Sequence, residues 1–198
     1  DSERSRIARF WPGGGANGNA VARVIVGDRH LDRWQQARLF ALLNIANVDA
    51  SISVFDTKYT YNFWRPITAI RWAHDGNPFT ESDPAWLSYM PTPPYPDYTC
   101  GLTTITGSSN AVLRRYFGTD AVAYTFSATI PQAAPLPPEI LTRSYSTLSQ
   151  ASAEAVDSRV FGGMHFRDGC AQGVRQGDKV GSFVFRHYLR PLKPWHGH

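Results

Sequence analysis

The feature that most constrains the fold is a helical spacing of apolar residues between Asp32 and Asp56. The apolar positions in this stretch are Leu39, Leu42, Leu43, Ala46, Ile52 and Phe55. Because they recur with a helical period, they form one face of an α-helix. Asp32 precedes the first turn, where an aspartate side chain caps free backbone N–H groups. The pattern predicts the longest helix of the chain between these two aspartates.

Other segments carry the same helical pattern, and proline or glycine stands at several of their ends. Pro66 suits the first turn of a helix that continues to Trp72. Strand signals are scarce, and residues 122–126 give the best of them. The remaining predicted helices are residues 4–10, 101–117, 144–161 and about 165–189. Residues 1–198 are therefore predicted to form a single all-α domain, a helical bundle.

Long proline-rich connections separate the predicted helices. Residues 76–100 form one of them, and a loop of this length inside a domain is usually functional. Residues 1–18 are predicted to be a flexible lead-in, and residues 190–198 a tail. Gly13, Gly15 and Gly18 match the spacing of a dinucleotide-binding loop, but no predicted strand precedes them. No nucleotide cofactor is therefore expected.

Charge and hydropathy bear on the partners of the chain. Lys and Arg total 20 against 16 Asp and Glu, and the net charge of +4 is spread along the chain. A small anion is therefore a better partner than a nucleic acid, which needs a basic patch. Uninterrupted apolar runs fall well short of the roughly 18 to 20 residues that cross a bilayer, so no membrane span is expected.

Two basic motifs stand at the ends of predicted helices. Lys58 and Arg65 are seven residues apart, so on a helix both cations point to nearly the same side. The alternative is two surface cations over an aromatic-rich core stretch. Arg159 stands six residues before His165, and Gly162 and Gly163 between them allow both side chains to enter one cavity. The alternative for His165 is a hydrogen-bonded core histidine.

A third motif is the proline-rich loop that runs into a helix at Gly101. The first turn of a helix presents unpaired N–H groups and the positive end of the macrodipole. Gly101 lets an anion approach that backbone closely. The alternative is an ordinary helix N-terminus.

The order and spacing of the three motifs resemble one family, the vanadium-dependent haloperoxidases and the acid phosphatases that share their active site. The family pattern is Lys, six residues, Arg-Pro; then Pro-Ser-Gly-His; then Ser-Arg, five residues, His. The chain has Lys58 with Arg65 and Pro66, and Ser158 and Arg159 with His165, at the family spacing. Residues 61–71 look like the haloperoxidase-like branch. Family chains are about twice as long, so this chain is similar to a C-terminal half, and either the other half or a second copy is an expected partner.

The resemblance implies an enzyme with a site for vanadate, in which phosphate or sulfate is the alternative occupant. Lys58, Arg65 and Arg159 would hold the equatorial oxygens together with the N–H of Gly101. His165 would be the axial ligand of vanadium in a haloperoxidase, or the nucleophile in a phosphomonoesterase.

The middle motif departs from the family pattern, because Thr99-Cys100-Gly101-Leu102 replaces Pro-Ser-Gly-His. Leu102 stands where the family has its acid-base histidine, and general acid catalysis contributes on the order of 10² to 10⁴ in rate. Cys100 replaces a serine that donates to the oxyanion, and a thiol is a weaker donor. The resemblance therefore implies an enzyme of low activity or, as the alternative, a non-catalytic descendant that serves as a binding or storage protein.

The chain has two cysteines, and both fall in the motifs of the inferred site. Cys100 lies at one wall, and Cys170 follows His165 by five residues at another. We predict a Cys100–Cys170 disulfide, and from it an oxidising, extracytoplasmic location such as that of a secreted protein.

A weaker alternative function for the chain is metal binding, although the spacing of the ligands is poor for any standard metal site. Its ligands would be His165, Asp168, His187, His196 and His198.

Overall fold

The computed structural model describes residues 2–72, 76–133 and 135–190. These residues form a group of packed helices and one β-hairpin. The α-helices are α1 (Glu3–Phe10), α2 (Gly18–Gly27), α3 (Arg33–Tyr61), α4 (Pro66–Arg71), α5 (Gly101–Phe117), α6 (Leu148–Phe161) and α7 (Arg167–His187). The strands are β1 (Tyr124–Ile130) and β2 (Glu139–Tyr145). The predicted helical fold is confirmed, and α5 has the predicted bounds.

The hairpin is the main departure from the all-α prediction. Its strands pair antiparallel, with Tyr124 opposite Tyr145 and Ile130 opposite Glu139. Tyr124, Ala128 and Tyr145 point into the core, so the hairpin covers one side of the helices. Residues 144 and 145 belong to β2, and α6 therefore begins at Leu148 rather than at residue 144.

The predicted flexible lead-in is helical and contributes to the core. α1 continues into a wide helical turn, Trp11–Gly15, and α2 follows it. Phe10 and Trp11 are buried, and the indole N–H of Trp11 donates to Glu154 at 3.1 Å. The glycines serve this packing, since a Cβ at Gly15 would overlap the ring of Phe10. The predicted tail lies outside the described residues from residue 191 onward.

Glycines on α7 bring α5 and α7 into close contact. Gly173 lies against Thr103 and Thr104, and a Cβ at Gly177 would overlap the carbonyl oxygen of Thr104. Gly181 lies against Ser108. Because later residues of α5 meet later residues of α7, the two helices run in the same direction. Their N-termini therefore lie at the same end of the bundle.

α3 packs against both α5 and α7 and carries Lys58 in its last turn. An aspartate-glutamine capping box begins the helix, and the left-handed residue Asn62 ends it. The segment 33–71 is long and apolar enough to cross a membrane, with a mean hydropathy of 1.3 over its best window. A core helix has the same composition, and one face of α3 is buried in the core. The absence of a membrane span stays a prediction.

Candidate oxyanion site

Lys58 and Arg65 converge across a helix break rather than along one helix. α3 ends at Tyr61, and Arg65 is the residue that precedes α4. Lys58 is fully buried and Arg65 is 5% exposed, which excludes the alternative of two surface cations. Burial of two cations is costly unless each has hydrogen-bond acceptors or a bound anion.

The Lys58 ammonium group is held by two main-chain oxygens. Nζ donates to the carbonyl oxygens of Pro96 at 2.8 Å and Asp97 at 2.9 Å. Burial, together with the nearby charge of Arg65, lowers the pKa of Lys58 to about 8. An ammonium group has three donors, so one hydrogen remains for a guest.

Arg65 reaches the loop before α5 and the loop after α6. Nε donates to the carbonyl oxygen of Tyr95 and Nη1 to that of Met164, both at 2.8 Å. Nη1 also lies 2.9 Å from Nε2 of His165. Nη2 is buried, and no acceptor contacts it among the described residues.

Arg159 and His165 face this arginine from the other side. Arg159 lies in the last turn of α6, and its Nη2 contacts the sulfur of Met164. Its Nε is buried without an acceptor in the described part of the chain. The chain then turns at Gly163, which has a φ of 74°, and places His165 just before α7. We call the side chains of Lys58, Arg65, Arg159 and His165 the cage.

Asp97 is a site residue to which none of the sequence motifs assigned a role. It is buried, and its Oδ1 lies 2.8 Å from Nδ1 of His165 and 3.8 Å from Nη1 of Arg65. Nε2 of His165 faces the Arg65 donor, so we assign the ring proton to Nδ1, beside the carboxylate. Asp97 thus orients the histidine, whereas Asp168 is exposed. The only sequence feature that could have indicated this role is the presence of an acidic residue in the proline-rich loop before Gly101.

The N-terminus of α5 provides space beside the cage. Gly101 is the first residue of the helix, and a Cβ built there would meet no described atom within 4 Å. Leu102 packs on the small cluster of Cys100, Cys170 and Val156. The position of the expected acid-base group is therefore apolar.

The predicted disulfide is not present, because Cys100 and Cys170 are both free and buried. The sequence placed the two residues at one site correctly, but proximity does not fix their oxidation state. Burial alone would raise the pKa of Cys100, yet the adjacent Cys170 thiol and the adjacent His165 ring hold it well below its usual range. The same contact with Cys100, together with burial, raises the pKa of Cys170. The extracytoplasmic location inferred from a bridge stays a prediction.

The alternative metal site does not assemble in the described residues. His187 lies at the far end of α7 from His165, about 30 Å away for a helix of this length, and contacts the carbonyl oxygen of Phe183. His196 and His198 lie outside the described residues. His165 instead meets the two cysteines, and the ligand atoms of this trio lie within 4.8 Å of one another.

An aromatic pocket of about 570 Å³ adjoins the cage. Tyr61, Phe63, Trp64 and Phe166 supply aromatic surface, and Asp97 forms part of its wall. Since Asp97 also contacts His165, this side chain stands between the pocket and the cage.

Comparison with known proteins shows the family of the chain. A family model described as the VCPO second helical-bundle domain matches residues 38–194. The chain belongs to this family. Vanadium chloroperoxidase from Curvularia inaequalis is 37% identical over 91 residues, an alignment that covers 41% of this chain and 14% of that protein. The resemblance to haloperoxidases that the motifs indicated is thereby confirmed.

Solved structures show the same fold for this member of the family. A bacterial vanadium-dependent iodoperoxidase is similar with a TM-score of 0.74 and 30% identity, over 94% of this chain and 43% of that one. A holo-type bacterial vanadium-dependent chloroperoxidase gives a TM-score of 0.75 at 21% identity, over 94% and 44%. The chain therefore spans less than half the length of these relatives.

Proposed function

We propose that this chain binds vanadate in the cage and supports peroxide-dependent oxidation of a halide. The observation that carries the proposal is the pair of buried guanidinium N–H groups, Arg65 Nη2 and Arg159 Nε, that have no acceptor among the described residues. Buried donors without acceptors each cost about 1–3 kcal/mol, more when charged. A tetrahedral oxyanion between them supplies the acceptors.

The charges of the site favour an anion over a cation. Lys58, Arg65 and Arg159 are buried together, and Asp97 is the carboxylate that contacts the cage. Charge-assisted hydrogen bonds from arginine suit the oxygens of vanadate or phosphate. The open space at Gly101 leaves the first N–H groups of α5 available to the same oxygens.

His165 is the group that would hold vanadium. Oδ1 of Asp97 lies 2.8 Å from Nδ1, and with the ring proton assigned to Nδ1 the lone pair of Nε2 is left for the cage. When bound, vanadate supplies the activation of hydrogen peroxide toward a halide. Arg65 would have to give up its 2.9 Å contact with Nε2 for that nitrogen to hold vanadium.

A second candidate is an anion-binding protein without turnover, and Leu102 favours it. Leucine cannot transfer a proton. Halide oxidation or phosphoester hydrolysis at this site would therefore be slower by a factor on the order of 10² to 10⁴ than with a general acid. Phosphate binds the same cage in either case, with Nε2 of His165 as the nucleophile if phosphoester hydrolysis occurs.

Vanadate titration followed by tryptophan fluorescence tests the proposal. The parent chain should bind vanadate, and Arg159→Met should weaken binding at least tenfold because it removes a buried charge-assisted donor. Arg175→Met, which removes an exposed arginine from α7, is the matched control and should bind like the parent. Equal binding by both variants would contradict the cage.

Peroxide-dependent oxidation of iodide and bromide separates the two candidates. Leu102→His should raise the rate by about 10² or more if the missing acid-base group limits turnover. Leu102→Gln is the control, since it adds a polar side chain that transfers no proton. Vanadate binding with no halide oxidation in the parent and in Leu102→His would favour the binding protein.

A further inference from the structure

Two thiols that the cage does not use face each other beside it. Cys100 precedes α5, and Cys170 lies in the first turns of α7. Their sulfur atoms lie within 4.8 Å of each other, and both side chains are fully buried. The main-chain N–H of Cys100 donates to the carbonyl oxygen of Gly169 at 3.1 Å, which ties the two helix starts together.

The two thiols are better placed to react with each other than to bind a metal ion together with His165. Other groups lie close to both ring nitrogens of His165, since Nδ1 is 2.8 Å from Oδ1 of Asp97 and Nε2 is 2.9 Å from Nη1 of Arg65. A metal ion bound to that ring would displace Asp97 or Arg65 from it. The ion would also lie among the three buried cations of the cage. A reaction confined to the two sulfurs has neither requirement.

We propose that Cys100 and Cys170 reduce hydrogen peroxide, with Cys100 as the attacking thiol and Cys170 as the resolving thiol. This activity needs no vanadate and is therefore independent of the halide oxidation proposed above. It takes a small hydroperoxide as substrate and a dithiol as the external reductant that restores the pair.

The reaction proceeds in two balanced steps. The Cys100 sulfur attacks one peroxide oxygen and the O–O bond breaks, so that Cys100 becomes a sulfenic acid and the other oxygen leaves as water with the thiol proton. The Cys170 sulfur then attacks the Cys100 sulfur, an S–S bond forms, and the sulfenic oxygen leaves as water. Two thiols are oxidised by two electrons, and one peroxide is reduced to two waters.

The surroundings of Cys100 favour the first step. Negative charge develops on the departing oxygen, and the unpaired donors of Arg65 and Arg159 stand in the adjoining cage. The N-termini of α5 and α7 meet at this end of the bundle, so both macrodipoles also favour negative charge there. One preorganised donor at such a position contributes about 10² to 10³ in rate.

The aromatic pocket lies beside the two thiols. Gly169 lies in the wall of that pocket, precedes Cys170 and accepts the hydrogen bond from Cys100. Hydrogen peroxide is little larger than water, so we expect it to reach the buried sulfurs from this pocket more readily than a bulky hydroperoxide does.

The test uses reduced, vanadium-free protein, whose two cysteines account for all thiol chemistry. We expect one hydrogen peroxide consumed per chain, a product lighter by two hydrogens, and a rate at least about 100-fold above free cysteine at the same pH. Cumene hydroperoxide should react far more slowly than hydrogen peroxide. A rate equal to that of free cysteine, or a disulfide between chains, would overturn the proposal.

Single variants assign the two roles. Cys170→Ser should stop at a sulfenic acid on Cys100, which dimedone traps, and Cys100→Ser should lose the fast reaction. Loss of the fast step in Cys170→Ser, together with a trapped sulfenic acid on Cys170 in Cys100→Ser, would overturn the assigned order. Because the parent rate and product mass are measured without vanadate, failure here is distinct from failure to bind vanadate. Those two parent measurements also decide the matter if a variant does not fold.

Discussion

Anion binding should weaken as the pH rises through about 8, because Lys58 then loses its proton. Lys58 is buried, and its pKa is lowered to about 8 by burial and by Arg65. Below that pH the ammonium group attracts an anion, and above it the amine does not. Sulfate is the best probe, since its own charge is constant over this range.

The expected size of the pH effect on sulfate affinity follows from proton linkage. At about 4 Å and an effective dielectric constant of 20, one charge pair contributes about 4 kcal/mol. The neutral amine therefore binds sulfate much more weakly, and binding above pH 8 requires uptake of one proton. The affinity should fall about tenfold per pH unit there, which is about 1.4 kcal/mol per unit.

Isothermal titration calorimetry at pH 7, 8, 9 and 10 measures this dependence. Lys58→Arg keeps its charge and should give a constant affinity, whereas Lys179→Met, at an exposed position, should follow the parent. The unfolded chain binds more protons than the folded chain between pH 8 and about 10.5, so the free energy of unfolding should rise there. A parent affinity that stays constant up to pH 10 would refute the assignment of Lys58.

Further predictions concern stability and are measured by urea unfolding. Asp97→Asn leaves buried cations without their carboxylate and should lower the free energy of unfolding by about 3–5 kcal/mol. Sulfate should restore part of this loss by binding the folded chain. An unchanged free energy of unfolding would contradict the pairing. Gly177→Ala should cost about 1–3 kcal/mol through overlap with Thr104, whereas Gly27→Ala, with open space around it, should be neutral or stabilising. Trp11→Ala should cost about 3–5 kcal/mol, and a negligible loss would contradict a buried N-terminal segment.

The helices were predictable where local sequence determines them. α5 lies between Gly101 and Gly118, and Gly118 ends it in the left-handed conformation. β2 was missed because residues 139–145 follow a proline-rich stretch and gain their strand pairing from β1. α1 was predicted over residues 4–10, but the turn Trp11–Gly15 and α2 were missed, because their glycines indicate flexibility in isolation, whereas close packing on Phe10 is a tertiary effect.

The cage was predictable because its members stand in motifs of fixed spacing. Lys58 and Arg65 converge as expected, although through a helix break and not along one face. Asp97 could not be assigned, since its contact with His165 depends on the path of a long loop. The state of the two thiols was equally beyond the sequence, because proximity is compatible with either oxidation state.

A crystal structure of the chain soaked with vanadate is the sharpest test of oxyanion binding in the cage. We predict one oxyanion held by Nε2 of His165, Arg65 Nη2, Arg159 Nε and the start of α5. Arg65 should then have left its 2.9 Å contact with His165. Retention of that contact at saturating vanadate, with no anion among the four side chains, would contradict the account.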